Sequence, residues 1–446
     1  MSMELSELGA AAAASALAEG RISSEDLVGA SLARIRADED RVRAWTFLDS
    51  EYALQQARAA DKWKREGKPL GPLHGIPVGI KDIIDTRDMP TENGTVLHAG
   101  RRPKEDAAVV RMLRAAGAVI LGKTVTTELA TYAPGKTRNP HNPEHTPGGS
   151  SSGSAAAVAA HMVPVAIGTQ TNGSMIRPAA YCGVIGFKPS FGLIPRRGVL
   201  KQSRPLDQLG VFARSVEDAA LLAEQIIGYD EFDPDTRAQA KPPLRATAMQ
   251  EPPIPPRFAF VKTPLWKTAD TDSQAAFAGL VSRLGERVEE FRLPPVFKNA
   301  WKWHQTIMEA DIALNYEAEY EQGKDKLSAS LRGQIERGRR VRAVAYNQAL
   351  GRIPALNAEL DPLFEQGCEA ILTLATAGTA PRGLASTGSP AFCTLWTLCG
   401  MPAITLPLLR GANGLPLGVQ LVGPRGGDAR LLRSARWLLG QQLPAL

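Results

Sequence analysis

Apolar positions recur at two spacings along this chain, and the change from one to the other divides it. Up to about residue 65 the spacing is helical. Leu27, Leu32, Ile35 and Val42 follow Ser23-Ser24-Glu25-Asp26-Leu27, a run with the hydroxyl and early acids of a capped helix start. From Leu73 to about Leu209, short apolar runs at 76–84, 118–121, 163–167 and 183–187 alternate with helical segments and glycine-rich turns. That alternation predicts an α/β fold, a sheet with helices on its faces. Residues 228–256 are polar, carry three Pro-Pro pairs and read as a surface connection. Beyond them the pattern predicts a strand at 258–261, mostly helical stretches at 270–290 and 301–365, strands at 370–374 and 403–406, and a closing helix at 429–439. The strands on either side of 228–256 need one another to complete a sheet, so residues 1–446 read as one domain without internal repeats.

Composition narrows the class. The 446 residues are 44% hydrophobic and 22% charged, which excludes disordered and fibrous chains. The net charge of +6 (52 basic against 46 acidic residues) is interspersed, with no basic block, so no nucleic-acid partner is expected. The most apolar stretch, 392–409, is broken by Gly400, Pro402 and Pro407 and does not read as a membrane span. Cys182, Cys368, Cys393 and Cys399 form no C-x-x-C pair, and the N-terminal residues lack a signal-peptide pattern. A cytoplasmic protein with reduced thiols is expected.

Three motif matches fail on context. Gly117 to Thr124 fits the phosphate-loop pattern, but its middle residues, Ala118 to Leu121, read as a buried strand rather than a flexible loop. Gly149-Ser150-Ser151-Ser152-Gly153 fits a nucleophile elbow, yet no strand precedes it and no histidine follows His304. His141, Glu144 and His145 suggest metal ligation, but Pro140, Pro143 and Pro147 forbid the helix that would align them, so no metal is expected.

Three segments survive. Thr146 to Ala160 packs Ser150, Ser151, Ser152 and Ser154 and three glycines ahead of an alanine-rich helix, more hydroxyls than one N-cap needs. Gly168-Thr169-Gln170-Thr171-Asn172-Gly173-Ser174 follows an apolar run and offers several N–H groups around one hydroxyl, as an oxyanion hole requires. Lys81 ends the apolar strand of His74-Gly-Ile-Pro-Val-Gly-Ile-Lys81-Asp82, and burial there would make its amine a usable base.

Together with A-G-A-V-I-L-G-K-T at 116–124, G-S-M-I-R-P-A at 173–179, G-F-K-P-S-F-G at 186–192 and P-L-G-V-Q-L-V-G-P at 416–424, these segments resemble the amidase signature family over most of the chain. The resemblance implies a single large domain with a mixed sheet covered by helices. Within it lie a signature core at 66–212 and a variable helical region at 270–365. It also implies a Ser–Ser–Lys triad in which Ser174 is the nucleophile, Ser150 the bridging serine with a cis peptide, and Lys81 the base. An oxyanion hole of backbone N–H groups from Thr171, Asn172, Gly173 and Ser174 belongs to the same expectation, and no cofactor is called for. The implied activity is hydrolysis of a small amide through an acyl-enzyme. The partner is then the small-molecule substrate alone; a homodimer is the assembly considered, though the sequence leaves the oligomeric state open.

The chain departs from the common family loop in having Gln170 for Asp and Asn172 for Gly. Arg177 lies three positions after Ser174 rather than two, an order similar to malonamidase-type members. It suggests a carboxylate on the substrate, held by Arg177, with Ser151 also near the substrate; the alternative is that Arg177 pairs with an internal acid and shapes the loop. Thr387 to Pro390 and Trp396 to Gly400 resemble family segments near the pocket, but core packing is the expectation for them. Trp301, Trp303 and His304 are weak candidates for the pocket roof. Two other functions compete. One is the amidase subunit of a tRNA-dependent amidotransferase, against which Gln170 and the S-M-I-R order weigh. The other is a binding-only relative, against which the retention of Lys81, Ser150 and Ser174 together weighs.

Overall fold

The computed structural model describes residues 2–441. One sheet of eleven strands organises them: β1 (Trp45–Leu48), β2 (Pro77–Lys81), β3 (Val119–Thr124), β4 (Val165–Gln170), β5 (Ile185–Lys188), β6 (Gln208–Ala213), β7 (Phe258–Val261), β8 (Val288–Phe291), β9 (Ala370–Leu374), β10 (Ala403–Arg410) and β11 (Pro416–Val422). Their order across the sheet is β1-β3-β2-β4-β6-β5-β10-β11-β9-β7-β8. The pairs β2–β3, β2–β4, β7–β8 and β7–β9 are parallel and the others antiparallel, so the sheet is mixed.

The seven strands predicted from apolar runs are all present. Four others were hidden. β1 interrupts the stretch read as helical before residue 65. β8 follows the Thr271–Leu284 helix inside the 270–290 stretch, and β6 and β11 lie in segments to which no strand was assigned. The expected capped start is there too: Ser23 caps the Ser24–Val42 helix, and Asp26 returns the bond to the Ser23 N–H. Strand β5, before the 228–256 connection, pairs with β10 after it, so one continuous sheet makes one domain. That connection carries the short Leu244–Ala248 helix, whose Leu244 and Ala248 are buried.

The centre of the sheet is buried on both faces; every residue of β2, β3, β4, β6 and β11 is buried. On one side, the Ser152–Ala159 helix belongs to a cluster with Val28, Trp45, Leu121, Ala166 and Phe212. On another, the Ala300–Asn315 and Ala391–Leu398 helices pack together with Phe297, Ile335 and Leu356. Because β2 and β4 are parallel neighbours, with Ile80 opposite Ile167, their C-terminal ends release Lys81 and the 168–174 loop at the same edge. In open α/β sheets that edge is where ligands bind. No helix among the described residues is long and apolar enough to cross a membrane.

Candidate active site

Lys81 is fully buried at the end of β2. Its Nζ lies 2.7 Å from Ser150 Oγ and 2.7 Å from Thr169 Oγ1, and no carboxylate lies within ion-pair distance among the described residues. Burial drives its pKa well below the usual lysine range; the more distant Asp207 carboxylate opposes this, and the Arg177 guanidinium adds to it. The neighbouring strand shows the opposite solution. Lys123, equally buried on β3, lies 3.2 Å from Asp82 and donates to Thr91 Oγ1 and the Pro90 carbonyl, so its charge has a partner. The segment that fits a phosphate-loop pattern is thus a buried strand, as expected.

The serine-rich segment divides its labour. The peptide Gly149–Ser150 is cis. Only Ser150 reaches Lys81. Ser152 donates to the Val125 carbonyl and Ser154 to that of Ile167, pinning the start of the helix between β3 and β4. Ser151 is fully buried and its hydroxyl is spent on the Thr169 main chain, donating to the carbonyl at 3.1 Å and accepting from the N–H at 3.3 Å. It braces β4, which corrects its assignment to the substrate. The close approach depends on Gly168: a Cβ there would lie 2.7 Å from Ser151 Oγ, Met175 Sδ and Phe212 Cε2.

The loop after β4 is held from several directions. The Gln170 side-chain carbonyl accepts from the N–H groups of Met175 (2.8 Å) and Ile176 (3.0 Å), capping the turn that opens the Ile176–Cys182 helix. Its amide donates to Thr397 Oγ1 at 2.9 Å. Asn172 donates from Nδ2 to Tyr132 Oη at 3.0 Å and accepts at Oδ1 from Thr394 Oγ1 at 2.6 Å. The two departures from the family loop are therefore both built into a local hydrogen-bond network. Ser174 is 8% exposed, and among the described residues its hydroxyl makes no hydrogen bond, to Ser150 or otherwise. Nor does any acceptor meet the main-chain N–H groups of Thr171, Asn172, Gly173 and Ser174. A cavity of about 300 Å³ reaches this edge, lined by Thr169 and Thr171 with Ile83, Leu200, Asp207 and Phe232 among its walls.

Arg177 is buried, with no acid within ion-pair distance among the described residues. Its Nε (3.1 Å) and Nη2 (2.6 Å) donate to the Gly149 carbonyl and its Nη1 (2.6 Å) to that of Gly388. The edge that would grip a carboxylate bidentately is occupied by the residue preceding Ser150. His304 is also buried, and its Nε2 lies 2.9 Å from the Thr171 carbonyl, so it braces the loop instead of roofing a pocket. Trp301 donates to the Ala391 carbonyl at the start of the Ala391–Leu398 helix. Thr397, in a segment expected to serve core packing alone, binds the loop, as does Thr394, for which no role was expected; two threonines three apart on an otherwise apolar helix are the signal that marks them. His141 and His145 bond to the carbonyls of Cys182 and Ala380, and no group of metal-ligating side chains occurs among the described residues.

This sheet edge, with a buried unpaired lysine against a serine beside a loop of free N–H groups, is the equipment of an amide-cleaving hydrolase. The chain belongs to the Amidase family, whose sequence model matches residues 26–432. It is 34% identical over 469 residues to a subunit of the glutamyl-tRNA(Gln) amidotransferase of Chloroflexus aurantiacus, covering 96% of each chain. Among solved structures it is similar to native peptide amidase from Stenotrophomonas maltophilia (31% identity, TM-score 0.83, 97% and 96% covered). It is also similar to a chain of a vestigial protein complex linked to the origin of an s-triazine catabolic enzyme (27% identity, TM-score 0.91, 98% and 100% covered). The malonamidase-type likeness is a reading of the Ser174–Arg177 spacing alone.

Proposed function

We propose that the chain hydrolyses a small amide through an acyl-enzyme on Ser174, with Ser150 as proton bridge and Lys81 as base. The observation that carries this reading is the 2.7 Å contact between Ser150 Oγ and a fully buried lysine amine that has no carboxylate partner among the described residues and whose pKa burial drives well below the usual lysine range. A neutral amine has a lone pair for the Ser150 proton, and Ser150 can in turn accept the proton of Ser174. Without such an acceptor a serine hydroxyl is a poor nucleophile. The Ser150–Ser174 link closes with substrate bound, as catalytic hydrogen bonds commonly do. Attack by Ser174 on the amide carbonyl forms the C–O bond and an oxyanion, which the free N–H groups of the 171–174 loop hold; one such donor is worth ~2.7–4 kcal/mol. The relay returns its proton to the leaving nitrogen as the C–N bond breaks, and water repeats the path in reverse to release the acid.

Arg177 enters this reading through its charge and its grip on Gly149. Its unpaired positive charge favours an amide that also bears a carboxylate, attracted through the field of the site. Arg177→Met then lowers kcat/KM more for acidic than for neutral amides of equal size; equal losses remove the carboxylate from the proposal. A cytoplasmic setting, matching four unpaired thiols, belongs to the same reading.

The Chloroflexus relative supports a second reading, in which the chain is the amidase component of a tRNA-dependent amidotransferase and passes ammonia to a partner. The acyl-enzyme half-reaction is the same in both. Ammonia release by the purified chain from small amides, acid amides, ureas and glutamine separates them, with the Ser174→Ala protein as control. Turnover without tRNA, ATP or partner on a non-glutamine amide supports the free hydrolase. Turnover of glutamine alone, stimulated by a partner protein, supports the amidotransferase reading.

A further inference from the structure

Three successive carbonyls of the 171–174 loop are tied down by groups distant in sequence or in the next helical turn. The Thr171 carbonyl meets His304 Nε2 at 2.9 Å, the Asn172 carbonyl accepts from Thr397 Oγ1 at 2.5 Å, and the Gly173 carbonyl accepts from the Arg177 N–H at 3.0 Å. In a trans peptide the C=O and the following N–H point in opposite directions. Fixing those three carbonyls therefore fixes where the N–H groups of Asn172, Gly173 and Ser174 point. These N–H groups have no acceptor among the described residues, although Asn172 and Ser174 are almost completely buried. A buried N–H left without a partner is costly unless something visits it.

We propose that His304 and Thr397 are positioning residues that aim the oxyanion hole, and that the hole consists of the N–H groups of Asn172, Gly173 and Ser174. This rests on the reading of Ser174 as nucleophile given above. Thr171 N–H falls outside the set because its peptide carbonyl belongs to Gln170, which ends β4. The two pins come from different helices, Ala300–Asn315 and Ala391–Leu398, and Trp301 ties one helix to the other through the Ala391 carbonyl. Thr397 is itself oriented: its Oγ1 accepts from Gln170 Nε2, and its carbonyl meets Gln208 Nε2, whose Oε1 accepts from the buried Lys188. Thr394 and Tyr132 add holds on the two ends of the Asn172 side-chain amide. Neither His304 nor Thr397 touches the reacting atoms; both act through the loop.

The test compares Thr397→Val, Thr397→Ser, His304→Phe and Thr394→Val with the wild-type chain. Active sites are counted by stoichiometric fluorophosphonate labelling, and kcat, KM and the labelling rate constant are expressed per counted site. Removing a pin displaces donors whose placement matters on the scale of an ångström, so kcat and the labelling rate constant fall together by about 10- to 100-fold for Thr397→Val and His304→Phe. KM changes less than about twofold, and Thr397→Ser, which keeps the hydroxyl, recovers most of the rate. Thr394→Val, which releases the Asn172 Oδ1 while Tyr132 still holds its Nδ2, falls in the same direction and serves if another variant does not fold. Fewer counted sites with unchanged kcat per site would mean that these residues only stabilise the fold, and would overturn the proposal. Retained activity in Ser174→Ala would instead overturn the reading beneath it, a separate result.

Discussion

Replacing Lys81 by Met tests the protonation state on which the proton relay depends. In the unfolded state a lysine stays protonated up to ~10.4. In the fold, burial moves the Lys81 value well below that. Between the two values the unfolded state carries one more proton than the native state, so wild-type stability rises with pH by ~1.4 kcal/mol per unit. Below the folded value both states are protonated and the full penalty persists; above ~10.4 both are neutral and it vanishes. Met has a similar volume and no charge, so Lys81→Met lacks this term. The variant is therefore stabilised relative to wild type by the largest margin at low pH, and the margin closes through the window. With ~2.1 cal/mol/K of unfolding entropy per residue, one pH unit corresponds to ~1.5 °C in Tm for a chain of this length. The assay is thermal or urea unfolding of both proteins at several pH values, with amide turnover in parallel. Lys81→Met loses turnover at every pH, and wild-type kcat/KM falls on the acid side as the amine takes a proton. Stability curves that run parallel across the window would show that Lys81 is charged in the native state and would refute its role as a neutral base.

Two further outcomes follow from the same structure. Gly149→Ala places a Cβ 2.8 Å from Thr387 Cγ2 and 3.0 Å from Thr127 Cγ2; kcat falls by about 10- to 100-fold as Ser150 is displaced, and adding Thr387→Ser, which deletes one of the clashing methyls, restores part of it. A loss below about twofold would show that the Gly149–Ser150 peptide tolerates movement. Cys182, Cys393 and Cys399 are buried, and burial pushes the thiols of Cys393 and Cys399 up to about 12 and that of Cys182 higher still; Cys368, only partly buried, rises to about 11. A thiol reagent at neutral pH then modifies no thiol but Cys368 in the native chain and leaves turnover intact, and rapid inactivation would contradict this placement.

The parts of the molecule legible in the sequence were those with a local signature. Most buried central strands announce themselves as short apolar runs, which is why β2, β3, β4, β5, β7, β9 and β10 were found; β6 and β11, equally buried, escaped because Gln208, Gly210, Gly418 and Gln420 break their apolar runs. Edge strands lack such runs: β8 reads Val-Glu-Glu-Phe with both glutamates exposed, and β1 has Thr46 exposed beside Trp45. Lys81 stood out because a lysine closing an apolar strand is chemically odd, and the serine-rich and 168–174 segments because they hold more hydroxyls and turn residues than local structure needs. The sorting of those hydroxyls was not legible. Ser151, Ser152 and Ser154 look like Ser150 in sequence, and only the placement of β3 and β4 separates three braces from one relay group. Arg177 illustrates the same limit, since its main-chain acceptors, Gly149 and Gly388, lie far from it along the chain. His304 and Thr397 depend on helices that reach the loop from more than a hundred residues away.

In this mechanism Ser174, and no neighbouring serine, takes the acyl group. Intact-mass and peptide mapping of the chain after fluorophosphonate treatment tests it most directly. One adduct forms per chain, on the peptide carrying Ser174, with none in Ser174→Ala and slow formation in Lys81→Met. An adduct on Ser150, Ser151 or Ser152, or undiminished labelling of Ser174→Ala, would contradict it.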